Sequence, residues 1–336
     1  MIFNPTRASL IAAAALAALA TGAHAQQFTM KLSSPTINEV SHEWMKAMKA
    51  GVEQRTGGKV KVELYPANQL GQLPATVEGV ALGTIELSLP AVGFVVGLEP
   101  RFQVLDAPGL FDSLEHAARV FADEEVRKRL ATFGASKGIE ALVTFVNGPL
   151  TLLSHKPVRS LNDFKGQKIR APGGAPIQME PFKRLGASPL SMPLGEALPA
   201  MQNKTIDGLT GGIAIYTTFK YYDIAKDMTY LPGSFLVATG IVNRAWMKSL
   251  GADLERVVRD ESQKNEKLFS TWGVEDVGRV EKTWQQNGGR LIKLSPADTK
   301  AFLGEVTSAT APILSANPQL KDDYQFFLAA AQRHRR

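Results

Sequence analysis

The chain has 336 residues, 44% hydrophobic and 21% charged, and its 38 Lys and Arg against 32 Asp and Glu give a net charge of +6. That balance fits a folded chain with room for two cores; it excludes a disordered chain, a collagen-like repeat and a polytopic membrane protein, and the scattering of its basic residues argues against nucleic-acid binding. There is no cysteine, which removes disulfides, thiolate metal sites, Cys nucleophiles and lipid attachment through Cys.

Residues 1–25 carry Arg7 as their only charge, then an apolar run over 8–20, then Ala23-His24-Ala25. This is the pattern of a secretory signal peptide ending in an A-x-A cleavage site. The run is shorter than the roughly 20 residues that a spanning helix needs. Export to the periplasm is therefore expected.

After the leader, Phe28, Met30 and Leu32 alternate with polar neighbours, as do Val60, Val62 and Leu64, while Trp44, Met45, Met48 and Val52 follow helical spacing. A β-α-β unit is predicted, followed by a helix over 76–82, a strand over 85–89, a helix over 114–133 and a strand over 139–146. Asn147-Gly148-Pro149 then reads as a break before a second set. Strands are predicted at 151–154, 167–170, 188–192 and 206–209, with helices at 176–185, 194–203 and 213–222. A strand over 236–242 precedes a breaker-poor stretch, 253–287, that reads as one unusually long helix with Trp272 and Gly273 as the place for a bend. A strand over 290–294 and two short helices close the chain. The alternation predicts an α/β fold with a largely parallel sheet. No Pro-, Ser- or Gly-rich linker separates the two sets, so the chain is expected to cross between them within ordered elements, an arrangement that can hinge.

Catalytic patterns are scarce. Gly134-Ala135-Ser136-Lys137-Gly138 matches G-x-S-x-G, but that nucleophile elbow needs a strand before the serine and a helix after it. Here the predicted order is reversed, and the segment reads as a Gly-rich helix stop. The histidines, 24, 42, 116, 155 and 334, include no pair at i, i+4, the spacing that sets two metal ligands on one helix face. No Walker sequence is present, and the acidic groups at Asp106, Asp112, Glu115 and Asp123 to Glu125 read as loop and helix-surface acids. The expectation is a binding protein rather than an enzyme, with no metal and no cofactor.

Several ordered motifs carry a family resemblance. The segment from Gly57-Gly58-Lys59-Val60 through Tyr65-Pro66-Ala67-Asn68-Gln69-Leu70-Gly71, the run Asp163-Phe164-Lys165-Gly166-Gln167-Lys168-Ile169-Arg170-Ala171-Pro172, then Leu185-Gly186-Ala187-Ser188-Pro189, Glu196-Ala197-Leu198, Ile206-Asp207-Gly208 and Lys220-Tyr221-Tyr222-Asp223 together resemble the DctP family. These are the periplasmic solute-binding subunits of tripartite ATP-independent periplasmic (TRAP) transporters. The resemblance implies a two-lobed, hinged, type II-like periplasmic binding protein fold with a long helix spanning both lobes. Lobe I would comprise 26–147 and 236–275, and lobe II 148–235 and 276–336. It implies a monomer that captures a small organic acid and delivers it to the TRAP membrane permease. The alternatives are a receptor presenting its ligand to a sensor kinase and a periplasmic hydrolase or lyase.

In that family the Arg of the K-x-R-x-P strand, here Arg170, forms the salt bridge to the ligand carboxylate. The chemistry agrees: a guanidinium offers a planar fork of donors that matches two carboxylate oxygens, which a lysine does not. The implied contact set is Arg170, Thr36, Ala91, Gly173, Leu194, Thr210, Gly211 and Tyr216. Sialic acid binders of the family carry a second Arg where this chain has Leu150, an aromatic at Leu194, Q-E-N-P where Leu209-Thr210-Gly211-Gly212 stands, and an acid at Ala91. These replacements remove a charge or a side-chain hydrogen-bonding group, so the expected ligand is a monocarboxylate with a modestly apolar body rather than sialic acid.

Overall fold

The computed structural model describes residues 28–335, and the expected signal peptide lies outside them. Nine strands, β1 (Phe28–Ser33), β2 (Val60–Tyr65), β3 (Leu87–Ser88), β4 (Ile139–Ser154), β5 (Lys168–Ala171), β6 (Ser188–Ser191), β7 (Gly208–Gly212), β8 (Asp227–Asn243) and β9 (Arg290–Ile292), form one sheet. Its order is β2-β1-β3-β8-β4-β7-β5-β6, with β9 beside β8. The β-α-β start forms as the periodicity predicts. β1 and β2 pair in parallel from Phe28 opposite Val60, and helix Val40–Arg55 buries Trp44, Met45, Met48 and Val52 against Met30, Leu32, Val60 and Val62.

The centre of the sheet departs from expectation. β4 and β8, 16 and 17 residues long, pair antiparallel from Ile139 opposite Asn243 to Ser154 opposite Asp227. β3 joins β8 at its Ile241–Val242 end, β7 joins β4 from Leu150 onward, and β9 joins β8 at residues 227–229. The sheet is therefore mixed: parallel pairs lie on either side of an antiparallel centre, and β4 and β8 run through both halves. Asn147-Gly148-Pro149 is not a boundary between two strands but lies inside β4. Proline lacks the N–H that a ladder needs, and no strand pairs with β4 on its β7 side before Leu150, so Pro149 interrupts nothing there. β8 likewise begins well before the predicted 236–242. Its residues 231–234 bulge out, because Pro149 faces Phe235 while Thr151 faces Tyr230, and the bulge holds Pro232-Gly233 with Gly233 at φ 62°.

Two apolar clusters flank each half of the sheet. One half is covered by Trp44, Met45 and Met48 on one face and by Phe102, Phe111, Phe121 and Phe133 on the other. The second half lies between Leu209, Tyr216 and Trp284 and the group Phe164, Phe182, Phe302 and Val306.

The helices also carry corrections. The stretch predicted as one helix over 114–133 is two, because Asp123 ends Leu114–Ala122 and its carboxylate accepts from Glu125 N and Val126 N to cap Glu124–Ala131. The long helical run is divided into Gly251–Asn265, Lys267–Ser270 and Trp272–Gln286. Glu266 keeps helical angles, but Thr271 at φ −105°, ψ −84° does not, so the run bends next to Trp272. Gly273 allows close packing there: a Cβ on it would stand 3.3 Å from Val40 Cγ2. The closing helices, Pro296–Leu314 and Pro318–His334, are long rather than short. The last packs on the first half of the sheet, although the implied lobe boundaries group it with the second. Leu320, Phe327 and Ala330 enter the cluster around Phe133. Arg101 also donates from Nε and Nη2 to the buried Asp323 carboxylate at 2.7 and 2.9 Å. Among the described residues, no helix is long and apolar enough to cross a membrane.

Candidate functional site

Arg170 stands on β5, where it faces Leu190 of β6 and Leu209 of β7. Flanked by strands on both sides, it is only 3% exposed. Its Nε donates to Met192 O at 3.0 Å and its Nη1 to Thr210 O at 3.2 Å. No carboxylate among the described residues pairs with it: burial draws its pKa down to about 10, opposed only by the nearby Tyr216 and Tyr221. It is thus a buried cation at neutral pH, held by two carbonyls and lacking an anion.

The guanidinium borders a cavity. Thr36 and Ser41 follow β1, Ala91 follows β3 and Asn147 lies on β4; Arg170, Leu194, Thr210, Gly211 and Tyr216 come from the second half of the sheet and its helices. Of the implied contact set, the cavity lining brings together all but Gly173. Gly173 lies at the seam between the halves. Its φ is 108°, and a Cβ on it would stand 2.5 Å from the Gly93 carbonyl carbon. Two more contacts cross that seam: Gln178 Nε2 donates to Asp106 Oδ2 at 2.7 Å, and Gly195 N to Gln72 Oε1 at 3.3 Å. Lys220 is exposed in a turn at φ 55° and Arg244 lies 3.9 Å from Glu140; neither lines the cavity.

Tyr216 Oη donates to Leu209 O at 2.9 Å, and burial raises its pKa further. Thr210 Oγ1 donates to Arg170 O at 3.3 Å. Both hydroxyl protons are committed within the protein, leaving these groups as acceptors. Leu150, at the position of the second Arg in sialic acid binders, does not line this cavity. It borders an adjoining space with Asp106, Gln178, Phe182, Phe235 and Phe302. There, burial pushes the Asp106 carboxyl up to about 8, opposed by its hydrogen bonds from Gln178 and Val237.

Sequence reasoning missed Glu39. Its carboxylate is 1% exposed and has no ion-pair partner in the structure; five donors satisfy it instead. Oε1 accepts from Thr36 Oγ1 at 2.7 Å and His42 N at 3.3 Å. Oε2 accepts from Ser41 N and Ser41 Oγ, both at 3.0 Å, and from Asn147 Nδ2 at 2.6 Å. Glu39 caps helix Val40–Arg55 and fixes three side chains of the cavity wall. The Thr36-x-x-Glu39 spacing ahead of a periodic helix was the available signal; the contact with Asn147 had none.

Taken together, a buried guanidinium with no paired carboxylate among the described residues borders a cavity with a largely apolar wall. The fold is that of the periplasmic solute-binding proteins of TRAP transporters. It matches such a protein from Desulfovibrio salexigens with bound orotic acid at TM-score 0.86, with 23% identity over 91% of this chain and 99% of that one. A protein from Shewanella oneidensis with bound succinate matches at TM-score 0.83, with 23% identity over 90% of this chain and 99% of that one. In sequence, the chain is 27% identical to the Escherichia coli 2,3-diketo-L-gulonate-binding periplasmic protein YiaO, over 86% of this chain and 87% of the relative. The model of the DctP family, family 7 of the bacterial extracellular solute-binding proteins, matches residues 33–316, and the chain belongs to this family. It is a family of transport binding proteins, not of enzymes. Succinate, a dicarboxylate, in one of these similar structures shows that this fold is not restricted to monocarboxylates.

Proposed function

We propose that this protein is the periplasmic receptor of a TRAP transporter, that it captures a small organic acid through an Arg170–carboxylate salt bridge, and that it delivers the acid to the membrane permease. The observation that carries this reading is Arg170 itself. A charge stripped of water is stabilised by a matching charge, and this guanidinium has donors to spare and no protein anion. The second half of the sheet and its helices supply the anchor, and the first half supplies Thr36, Ser41, Ala91 and Asn147. A ligand touching both groups stabilises the closed arrangement over an open one. β4 and β8, with the bulge at 231–234, are the hinge in this reading.

The favoured ligand is a monocarboxylate with a modestly apolar body. Among the described residues, Arg170 is the only formal charge on the cavity wall, which otherwise includes Pro35, Leu73, Leu89, Leu194, Ile215 and Leu236. A second carboxylate placed there without a cation or several donors pays a large desolvation penalty. A matched calorimetric screen of mono- and dicarboxylates, with mass spectrometry of any acid that co-purifies, tests this. Submicromolar succinate or malate with no tighter monocarboxylate would overturn the ligand class.

A further inference from the structure

Asn147 lines the cavity at 8% exposure, and its two amide ends are not equivalent. Nδ2 donates to Glu39 Oε2 at 2.6 Å and also approaches Ser41 Oγ at 3.4 Å. An ionised carboxylate only accepts, so the bond to Glu39 determines which end of the amide is nitrogen. Ser41 cannot serve as a donor to the other end, because its hydroxyl proton goes to Glu39 Oε2 at 3.0 Å. The remaining atom, Oδ1, is buried and has no hydrogen-bond partner. Buried acceptors in native proteins are nearly always paired.

Gly212 packs beside that oxygen. A Cβ on Gly212 would stand 3.2 Å from Asn147 Oδ1 and 3.7 Å from Leu236 Cδ2. Gly212 has φ −90° and ψ 146°, ordinary extended values open to any residue, so the backbone does not require a glycine here. What the glycine provides is relief from crowding at an unsatisfied acceptor, since a side chain here would press on Oδ1.

We infer that Asn147 Oδ1 is a specificity-determining acceptor, which takes a hydrogen bond from an O–H or N–H group of the same acid whose carboxylate Arg170 holds. The cognate ligand is then an acid with a donor on its body, such as a hydroxy acid or a ring acid with an N–H. Glu39 acts on this contact through Asn147, as a positioning residue that prevents the amide from flipping. The inference rests on the reading of Arg170 as the carboxylate anchor.

Calorimetry on the purified protein with matched acids tests it: mandelate against phenylacetate, 4-hydroxybenzoate against benzoate, lactate against propionate, and orotate against its N,N-dimethyl analogue. The tightest binder should carry a donor and should exceed its donor-free partner by about tenfold or more, the range for one unpaired buried group. Gly212→Ala, whose Cβ would crowd Oδ1 while leaving the Glu39 network in place, should weaken the donor-bearing acid by about tenfold while changing its donor-free partner by less than about threefold. A tightest binder with no donor, or equal weakening of both partners by Gly212→Ala, overturns the inference. If Arg170→Ala leaves the affinity unchanged while the donor preference persists, the anchor reading fails and the role of Asn147 stands.

Discussion

Replacing Arg170 by alanine should separate binding from folding. Burial lowers its pKa from 12.5 to about 10, which at about 1.4 kcal/mol per unit is roughly 3 kcal/mol of cost for holding the charge away from water without an anion. Because the pKa of a base is lowered, that cost applies in full below pH 10, so Arg170→Ala relieves it at neutral pH. The same change leaves Met192 O and Thr210 O without their donors, at about 1 to 3 kcal/mol each unless water enters. The two effects oppose each other, so the unliganded variant should lie within about 3 kcal/mol of the parent, a shift of several degrees in Tm at most. Binding has no such offset: loss of one partner of a desolvated charge pair costs about 2 to 5 kcal/mol, or roughly 30-fold to several thousandfold in affinity. Arg170→Lys should also bind poorly, because a point charge does not reproduce the fork. Thermal melts without ligand and calorimetry with the acid found in the screen give the two readouts. Affinity within threefold of the parent in the alanine variant would remove Arg170 from the site, and a fall in Tm beyond about 10 °C would show that the residue is structural.

Gly173→Ala should block closure, because its Cβ would meet the Gly93 backbone at a φ that disfavours a side chain. Small-angle scattering should show no compaction on adding ligand, and a decrease in radius of gyration equal to the parent's would contradict the seam. Glu39→Gln puts an amide N–H₂ among donors that all point at a carboxylate. It should cost about 2 to 4 kcal/mol in urea unfolding, and an unchanged midpoint would mean that the network carries no stability. Asp106 titrates near 8 because burial disfavours its charge. An acid raised in the folded state contributes stability below its unfolded pKa and loses it as pH rises through the folded value. Stability should therefore decline from about pH 4 to pH 8, and Asp106→Asn should flatten that slope in urea midpoints taken at intervals across the range. An identical slope in the variant would place the titration elsewhere.

The parts of the fold that depend on near neighbours were legible in the sequence. The alternation at Phe28, Met30 and Leu32 and the helical spacing from Trp44 to Val52 declare their elements because one buried face is enough to define each. Arg170 was legible as a candidate: its Lys-x-Arg-x-Pro strand carries a family pattern, and the structure leaves its buried guanidinium without a carboxylate among the described residues. Tertiary contact decided the rest. Asn147-Gly148-Pro149 and Pro232-Gly233 are breakers by local preference, yet β4 and β8 continue through them, because each strand supplies the other's backbone partners on both sides of the irregularity. Glu39 and Asn147 are 108 residues apart; Glu39 finds Thr36, Ser41 and His42 locally, but Asn147 reaches it only when the first helix is laid against β4. The last helix leaves the neighbours that precede it in the chain because Asp323 finds Arg101 and Phe327 finds Phe133 across the molecule. Local periodicity determines which face of an element is apolar; which distant surface that face meets, and which buried polar atoms are left for a ligand, is determined only when the elements pack.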